Sequence, residues 1–275
     1  MRVGLVQLTA GDDPTANAVV ADRMIRQAAA EGAQFVATPE VTNCLSSSRT
    51  HQESVLQHEA DDATLAMLRE TAKALGIWLS IGSLALKTDD ADGRFANRSF
   101  LIGPDAAIAA RYDKIHMFDV TVSETESYRE SAGYRPGDKA VVAETPLTVF
   151  GLSVCYDLRF AYLYRALAQA GAEVLLVPAA FSATTGKAHW EVLLRARAIE
   201  TGCFVIAAGQ TGAGSGTGAL RETYGHSLVV APWGEVLVDA GTDHGVVMVD
   251  LDLDEVSKAR GRIAALTHDR AFSGP

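Results

Sequence analysis

Cysteine is scarce: the 275 residues hold three, Cys44, Cys155 and Cys203. The count is odd, the spacing is wide, and no CxxC pair occurs. That argues against a disulfide framework and a cysteine-based zinc site, and it points to a reducing cytoplasm. Positive charge is in deficit, with 24 Lys and Arg against 34 Asp and Glu and a formal net charge of −10. Nucleic-acid binding needs clustered cations to displace phosphate counterions, so no nucleic-acid partner is expected. There is no polybasic patch for an anionic membrane surface. Long apolar runs are missing as well. The N-terminal stretch MRVGLVQLTA meets Gly11, Asp12 and Asp13 too soon for a signal-peptide core, and no segment approaches a membrane span. The 7 histidines show no HExxH or comparable spacing, so no metal and no cofactor are expected.

Apolar residues make up 48% of the chain, ample for a sizeable core. No linker, low-complexity stretch or fixed-period repeat divides it, which predicts a single domain over residues 1–275. Buried strands are expected at 3–8, 34–37, 77–84, 147–154, 173–177, 204–208 and 246–251. Hairpins are expected around Gly103-Pro104-Asp105 and over Pro232-Trp233-Gly234. Helices are expected at 15–31, with Val19, Met24, Ile25 and Ala28 near one face, and at 63–75, 160–170, 188–201 and 254–263. Residues 119–145 read as a long irregular stretch, of the kind that is often functional. The pattern starts as alternating β and α and later gains hairpins. This predicts an α/β chain built as an α-β-β-α sandwich, two mixed sheets face to face with helices on the outer faces.

Cys155 stands where the apolar run LTVFGLSV gives way to Tyr156-Asp157-Leu158-Arg159. A nucleophile at such a strand end has backbone N–H groups beside it that could bind an oxyanion. The alternative is an ordinary buried cysteine. Glu40 follows Pro39 at the end of a short strand, where a carboxylate could exchange protons with a thiol, or simply be solvated. Lys114 lies just past a hairpin strand and could stabilise a thiolate or an oxyanion, or pair with Asp113. His116 could be the base of a Cys-His pair, a reading that ranks below Glu40 as the base. The run Gly214-Ser215-Gly216-Thr217-Gly218-Ala219, with Asp239 further on, loosely matches a dinucleotide fingerprint. The stretch after it is too short for a crossover helix, so a Gly/Ser loop is the better reading.

Taken together, Ala37-Thr38-Pro39-Glu40, Tyr112 to Asp119 and Gly151 to Phe160 resemble the three signatures of the nitrilase superfamily of carbon–nitrogen hydrolases. The likeness runs from about residue 3 to 249. Glu130-Ser131, Thr185 to Glu191, Leu194 to Glu200, Tyr224 to Ser227 and Pro232-Trp233-Gly234 are similar to its Nit branch, which includes amidases acting on deaminated glutathione and omega-amidases. The resemblance implies that Glu40, Lys114 and Cys155 are catalytic and that Glu130 and the Tyr156 N–H support them. It implies that Arg159, with Phe181 and Thr185, binds substrate. It also implies a cysteine thioester intermediate, ammonia release from the terminal carboxamide of a small carboxylate-bearing substrate, and at least a homodimer. The deaminated-glutathione type is favoured over an omega-amidase, an N-carbamoyl amino acid hydrolase or a nitrile hydrolase. A silenced, non-catalytic binding protein is a more distant alternative. Ala161-Tyr162 departs from the Pro-Glu pair of many relatives, and residues 212–220 form a longer, glycine-rich loop, which leaves substrate identity open.

Overall fold

The computed structural model describes residues 1–122, 124, 126–214 and 222–274. The apolar runs become strands β1 (Arg2–Gln7), β2 (Phe35–Ala37), β3 (Trp78–Leu86), β4 (Ala96–Ile102) and β5 (Ile108–Asp113). Short strands β6 (Asp119–Thr121), β7 (Ser127–Arg129) and β8 (Val141–Glu144) follow, then β9 (Val149–Leu152), β10 (Val174–Leu176) and β11 (Phe204–Ala207). The last five are β12 (Thr211–Ala213), β13 (Glu222–Tyr224), β14 (Leu228–Val230), β15 (Val236–Asp239) and β16 (Gly245–Asp250). The helices are α1 (Pro14–Ala30), α2 (Arg49–Val55), α3 (Ala63–Leu75), α4 (Ala161–Gln169), α5 (Ala183–Thr201) and α6 (Asp254–Arg262).

Twelve strands form two six-stranded sheets, ordered β16-β1-β2-β3-β4-β5 and β15-β14-β11-β10-β9-β8. Each has three parallel strands at its centre, β1-β2-β3 and β9-β10-β11, with antiparallel neighbours outside them. The sheets face each other. Val3, Leu5, Phe35 and Leu101 of the first share a core with Phe150 and Leu152 of the second. Phe35 and Phe150 stack across the gap with ring centroids 4.6 Å apart. The far side of the first sheet packs on Ala21, Ile25 and Ala28 of α1 and Leu65, Leu68 and Ala72 of α3. The far side of the second is covered by α4 and α5, through Leu163, Leu167, Trp190 and Leu194. This is the α-β-β-α sandwich that the sequence pattern predicts.

Local chemistry sets the element ends. Asp13 accepts the Thr15 and Ala16 N–H groups and, with Pro14 at the first turn, starts α1. Asp62 caps α3 through the Leu65 N–H, and Gly76, at φ +67°, ends it in the left-handed conformation. Val19 is 58% exposed, whereas Ala18, Ala21, Met24, Ile25 and Ala28 are buried. Five residues turn a helix by about 500°, so Val19 cannot share the face of Met24. The stretch 119–145 is not irregular throughout. It holds the β6–β7 hairpin, a 3-10 turn at Glu130–Ala132 and strand β8, all too short to show a period. Helix α5 begins at Ala183 rather than 188, and α2 escapes sequence reading because it is short and mostly polar. The glycine-rich residues 215–221 lie outside the described residues.

Candidate active site

Three strand ends meet over the rim of the shared core. Strand β2 ends in Thr38-Pro39-Glu40, held by the Thr38 N–H on the Ser80 carbonyl and by the Gln210 side chain on the Glu40 carbonyl. Strand β5 ends at Lys114, whose N–H bonds the Asn97 carbonyl of β4. Strand β9 leads to Cys155, whose N–H bonds the Pro178 carbonyl beyond β10. Cys155 begins a 3-10 helix, Cys155–Arg159, at φ +50°. Val41, next to Glu40, is also left-handed at φ +48°. A β-branched residue and a nucleophile candidate in that region each store about 1–3 kcal/mol of strain. Both positions flank the same pocket.

The Lys114 ammonium is buried and lies 2.9 Å from Glu40 Oε1 and 2.8 Å from Glu130 Oε2. Asn97 Nδ2 donates to Glu40 Oε1 at 2.9 Å, and the Ala180 N–H donates to Glu40 Oε2 at 2.7 Å. The Phe118 N–H holds Glu130 Oε2 at 2.6 Å. The Cys155 thiol donates to the Glu40 carboxylate. Burial alone would push the Glu40 carboxyl up, but the Lys114 charge, aided by these hydrogen bonds, holds it well below the usual carboxylate range. Burial would likewise push Lys114 down, and the Glu130 and Glu40 charges outweigh it, raising its pKa. The site therefore rests with Glu40 as a carboxylate and Lys114 as an ammonium beside a hydrogen-bonded thiol.

Asp157 ties the strand end carrying Lys114 to the turn carrying Cys155. Its fully buried carboxylate accepts from the Val154 N–H at 2.8 Å and Tyr112 Oη at 2.7 Å, and from the His116 N–H at 3.0 Å and Nδ1 at 2.6 Å. Sequence reading gave Asp157 no role of its own, because its donors Tyr112 and His116 lie far from it along the chain. Gly82 was also missed. A Cβ there would sit 2.1 Å from the Thr38 carbonyl and 2.4 Å from that of Pro39, so only glycine lets β3 pass this close to the Glu40 turn.

A cavity of about 950 Å³ is lined by Glu40, Asn97, Lys114, Glu130 and Cys155. Tyr156 is the second residue of the 3-10 helix, where a backbone N–H has no intrahelical acceptor. The expected substrate residues do not line this cavity. The Arg159 guanidinium lies 5.4 Å from the ring of Phe181 and 3.3 Å from His189 Nδ1. Phe181 itself is buried against Trp190 at 4.9 Å. Thr185 turns back to the Ser182 carbonyl at 3.5 Å, inside the first turn of α5. In their place Arg49, Glu126, Tyr128, Arg129, Ser182 and Thr184 face the cavity. His116 stacks on Phe160 at 3.6 Å and reaches Tyr162, away from the thiol. Asp239 is engaged by His226 at 2.9 Å. Cys44, Cys155 and Cys203 form no disulfide among the described residues, and Cys44 also lines the cavity. Among the described residues no group of three His, Cys, Asp or Glu is placed to hold a metal ion, and no helix is long and apolar enough to cross a membrane.

Residues 2–261 match the family model described as carbon–nitrogen hydrolase. A deaminated glutathione amidase from Yersinia enterocolitica is 37% identical over 273 residues, covering 99% of this chain and 94% of that protein. An omega-amidase from Homo sapiens is 36% identical over 270 residues, covering 98% of this chain and 95% of that protein. The solved C. elegans NitFhit protein matches with a TM-score of 0.89 at 33% identity, over 98% of this chain. This chain spans 65% of the NitFhit chain. The chain therefore belongs to the carbon–nitrogen hydrolase family, on the Nit branch of the nitrilase superfamily. It is accordingly an amidase, an enzyme acting on non-peptide C–N bonds.

Proposed function

We propose that Cys155 attacks the carbonyl carbon of a small carboxylate-bearing amide while Glu40 accepts the thiol proton. The tetrahedral oxyanion forms beside the Lys114 ammonium and the Tyr156 N–H. A donor of that kind typically contributes about 10²–10³ in rate. Glu40 returns the proton to the departing ammonia or amine, leaving a thioester on Cys155. Water then attacks the thioester with Glu40 again as base, which releases the acid and restores the thiol. Glu130 acts as a positioning residue that holds Lys114 from the side opposite Glu40. The carrying observation is the Lys114 ammonium bonded to both carboxylates while Glu40 accepts the thiol hydrogen bond.

The deaminated-glutathione type of substrate is favoured. The cavity volume of about 950 Å³ suits an extended acyl amide, and the Yersinia relative bears that activity in its name. The second reading is an omega-amidase, favoured by the human relative at 36% identity. We place the enzyme in the cytoplasm as one catalytic domain that forms a homodimer. Tyr162, Val192 and Ile199 support the dimer, standing 67%, 67% and 54% exposed on α4 and α5.

The test measures product release from deaminated glutathione, 2-oxoglutaramate, N-carbamoyl amino acids and simple nitriles. Turnover on an amide is expected, and Cys155→Ala should abolish it while far-UV circular dichroism stays unchanged. Undiminished turnover by Cys155→Ala would remove the mechanism. Carbon dioxide release from a carbamoyl substrate, with no amide turnover, would move the substrate class.

A further inference from the structure

Asn97 touches three of the residues on which the proposed reaction depends. It lies on β4, is buried, and lines the cavity with Glu40 and Cys155. Its backbone carbonyl accepts the Lys114 N–H at 3.0 Å. Its Nδ2 donates to Glu40 Oε1 at 2.9 Å and to Glu130 Oε1 at 3.4 Å. One side-chain amide thus spans the two acids that share the Lys114 ammonium. The neighbouring positions fix its place. Arg98 and Asp113, the residues next to Asn97 and Lys114, form a two-pronged ion pair at 2.5 and 2.9 Å. That clamp locks the register of β4 on β5.

The placement leaves a polar atom stranded. Asn97 Oδ1 is buried and has no hydrogen-bond partner among the described residues. Buried amide oxygens are normally paired, and one left alone is unfavourable. Arg135 Nε is the other such atom among the described residues, but the Asp90 carboxylate lies 3.3 Å from it. Turning the Asn97 amide over would not repair the loss. It would set the carbonyl oxygen against Glu40, which Lys114 holds as a carboxylate and which accepts but cannot donate. The donors are therefore aimed at the acids and the oxygen is sacrificed. Leucine, of similar size, would fill the space without stranding an oxygen. Local conflict of this kind gathers where function sets the geometry.

We propose that Asn97 is a positioning residue of the hydrolysis, steadying the Glu40 carboxylate while the Lys114 ammonium turns to the substrate oxyanion. This rests on the Cys155–Glu40 mechanism proposed above. Glu40 Oε1 has two donors at 2.9 Å, one charged and one neutral. The oxyanion competes for the charged one. The neutral amide stays, so the carboxylate keeps its aim. A neutral donor binds a carboxylate more weakly than a cation does and depresses its basicity less. Glu40 thus recovers basicity without coming loose. The Ala180 N–H steadies Oε2 in the same way at 2.7 Å.

The experiment compares wild type and Asn97→Leu on an amide and on the p-nitrophenyl ester of the same acid. Amide cleavage needs Glu40 to deliver a proton to the leaving group, whereas p-nitrophenolate leaves without one. The amide kcat should fall about tenfold or more, with KM within about twofold. The p-nitrophenol burst should slow by less than about threefold. Both rates come from one preparation, so their ratio does not depend on the folded fraction. Equal slowing of both, a loss confined to KM, or no loss would overturn the role. A second readout needs no turnover. Asn97→Leu should change the rate of Cys155 alkylation by iodoacetamide about threefold or more, but by less than about 1.5-fold in the Glu40→Gln background, because it acts through Glu40. That pattern supports the role even if no amide is cleaved, in which case the proposed hydrolysis alone fails. Equal changes in both backgrounds, or none in either, sink it.

Discussion

Replacing Lys114 with methionine should introduce a pH dependence of stability near neutrality that the wild-type site lacks. In the native protein the ammonium lies 2.9 Å from Glu40 and 2.8 Å from Glu130, all within the core rim. Met keeps much of the side-chain volume but leaves two carboxylates facing each other without a counter-charge. Breaking a buried ion pair in this way typically costs about 3–5 kcal/mol. The sign follows from the Glu40 carboxyl. In the wild type its pKa is depressed, so its stabilising contribution is present above the unfolded value and is lost as pH falls through the depressed native one. The Lys114 pKa is raised, so that contribution is complete below the unfolded value and persists throughout the neutral range. Without the ammonium, burial becomes the leading influence on Glu40 and lifts its native pKa above the unfolded one. The variant is then penalised at pH 8 and recovers as pH falls and Glu40 takes a proton. Urea unfolding followed by circular dichroism at several pH values between 5 and 8 reads this directly. The difference from wild type should shrink steadily toward pH 5. A loss that is the same at every pH, or below about 1 kcal/mol at pH 8, would refute the charge balance argued for this site.

Two further substitutions probe the frame around the triad. Gly82→Ala would place a methyl 2.1 Å from the Thr38 carbonyl and 2.5 Å from Pro178 Cβ, and so push apart the turns carrying Glu40 and Cys155. It should destabilise by about 1–3 kcal/mol, as overpacking does, and cut turnover more than a matched loss of stability elsewhere, measured by thermal melts and steady-state kinetics. Asp157→Ala would leave the Val154 and His116 N–H groups and Tyr112 Oη without their shared acceptor. Each buried donor left unpaired costs about 1–3 kcal/mol, so chemical denaturation should show a severe loss, whereas Tyr112→Phe, which removes one of the carboxylate's donors and leaves the others, should cost about 1 kcal/mol.

The layered architecture was legible because its strands are apolar on a repeat that water enforces. Residues such as Val36, Leu175 and Val205 are buried in three- and four-residue strands at the middle of each sheet, and no polar side chain could stand there. Glu40, Lys114 and Cys155 stood out as candidates through the family resemblance of their motifs, each of which lies just past a strand. What stayed hidden was decided by contacts between distant segments. Asp157 owes its role to Tyr112 and His116, over forty positions away in sequence. The family resemblance gave Arg159 its expected role, and which groups surround it, the Phe181 ring at 5.4 Å and His189 Nδ1 at 3.3 Å, is set by the 3-10 turn and α5 rather than by local pattern. Helix α5 reached further back than its pattern suggested because Gly186 lets the helix press on the Tyr224 ring, where a Cβ would lie 2.2 Å from the ring carbon.

On the proposed mechanism, the charge count at the pocket would also bear on the order of events. Two carboxylates and one ammonium leave the resting site one unit negative before any thiol ionises. A free thiolate would add a second negative charge in a dry environment, where nearby like charges are costly. Glu40, held at low pKa by Lys114, is at the same time a poor holder of that proton. Proton transfer is therefore unfavourable in the empty site and becomes favourable only when negative charge moves onto a substrate oxygen. As the oxyanion builds beside Lys114, it competes with Glu40 for the same ammonium. The carboxylate loses part of the attraction that depressed its pKa, and it becomes a better base at the moment the thiol must give up its proton. On that mechanism one shared cation would couple basicity to attack, and loss of either carboxylate contact of Lys114 would disturb both steps.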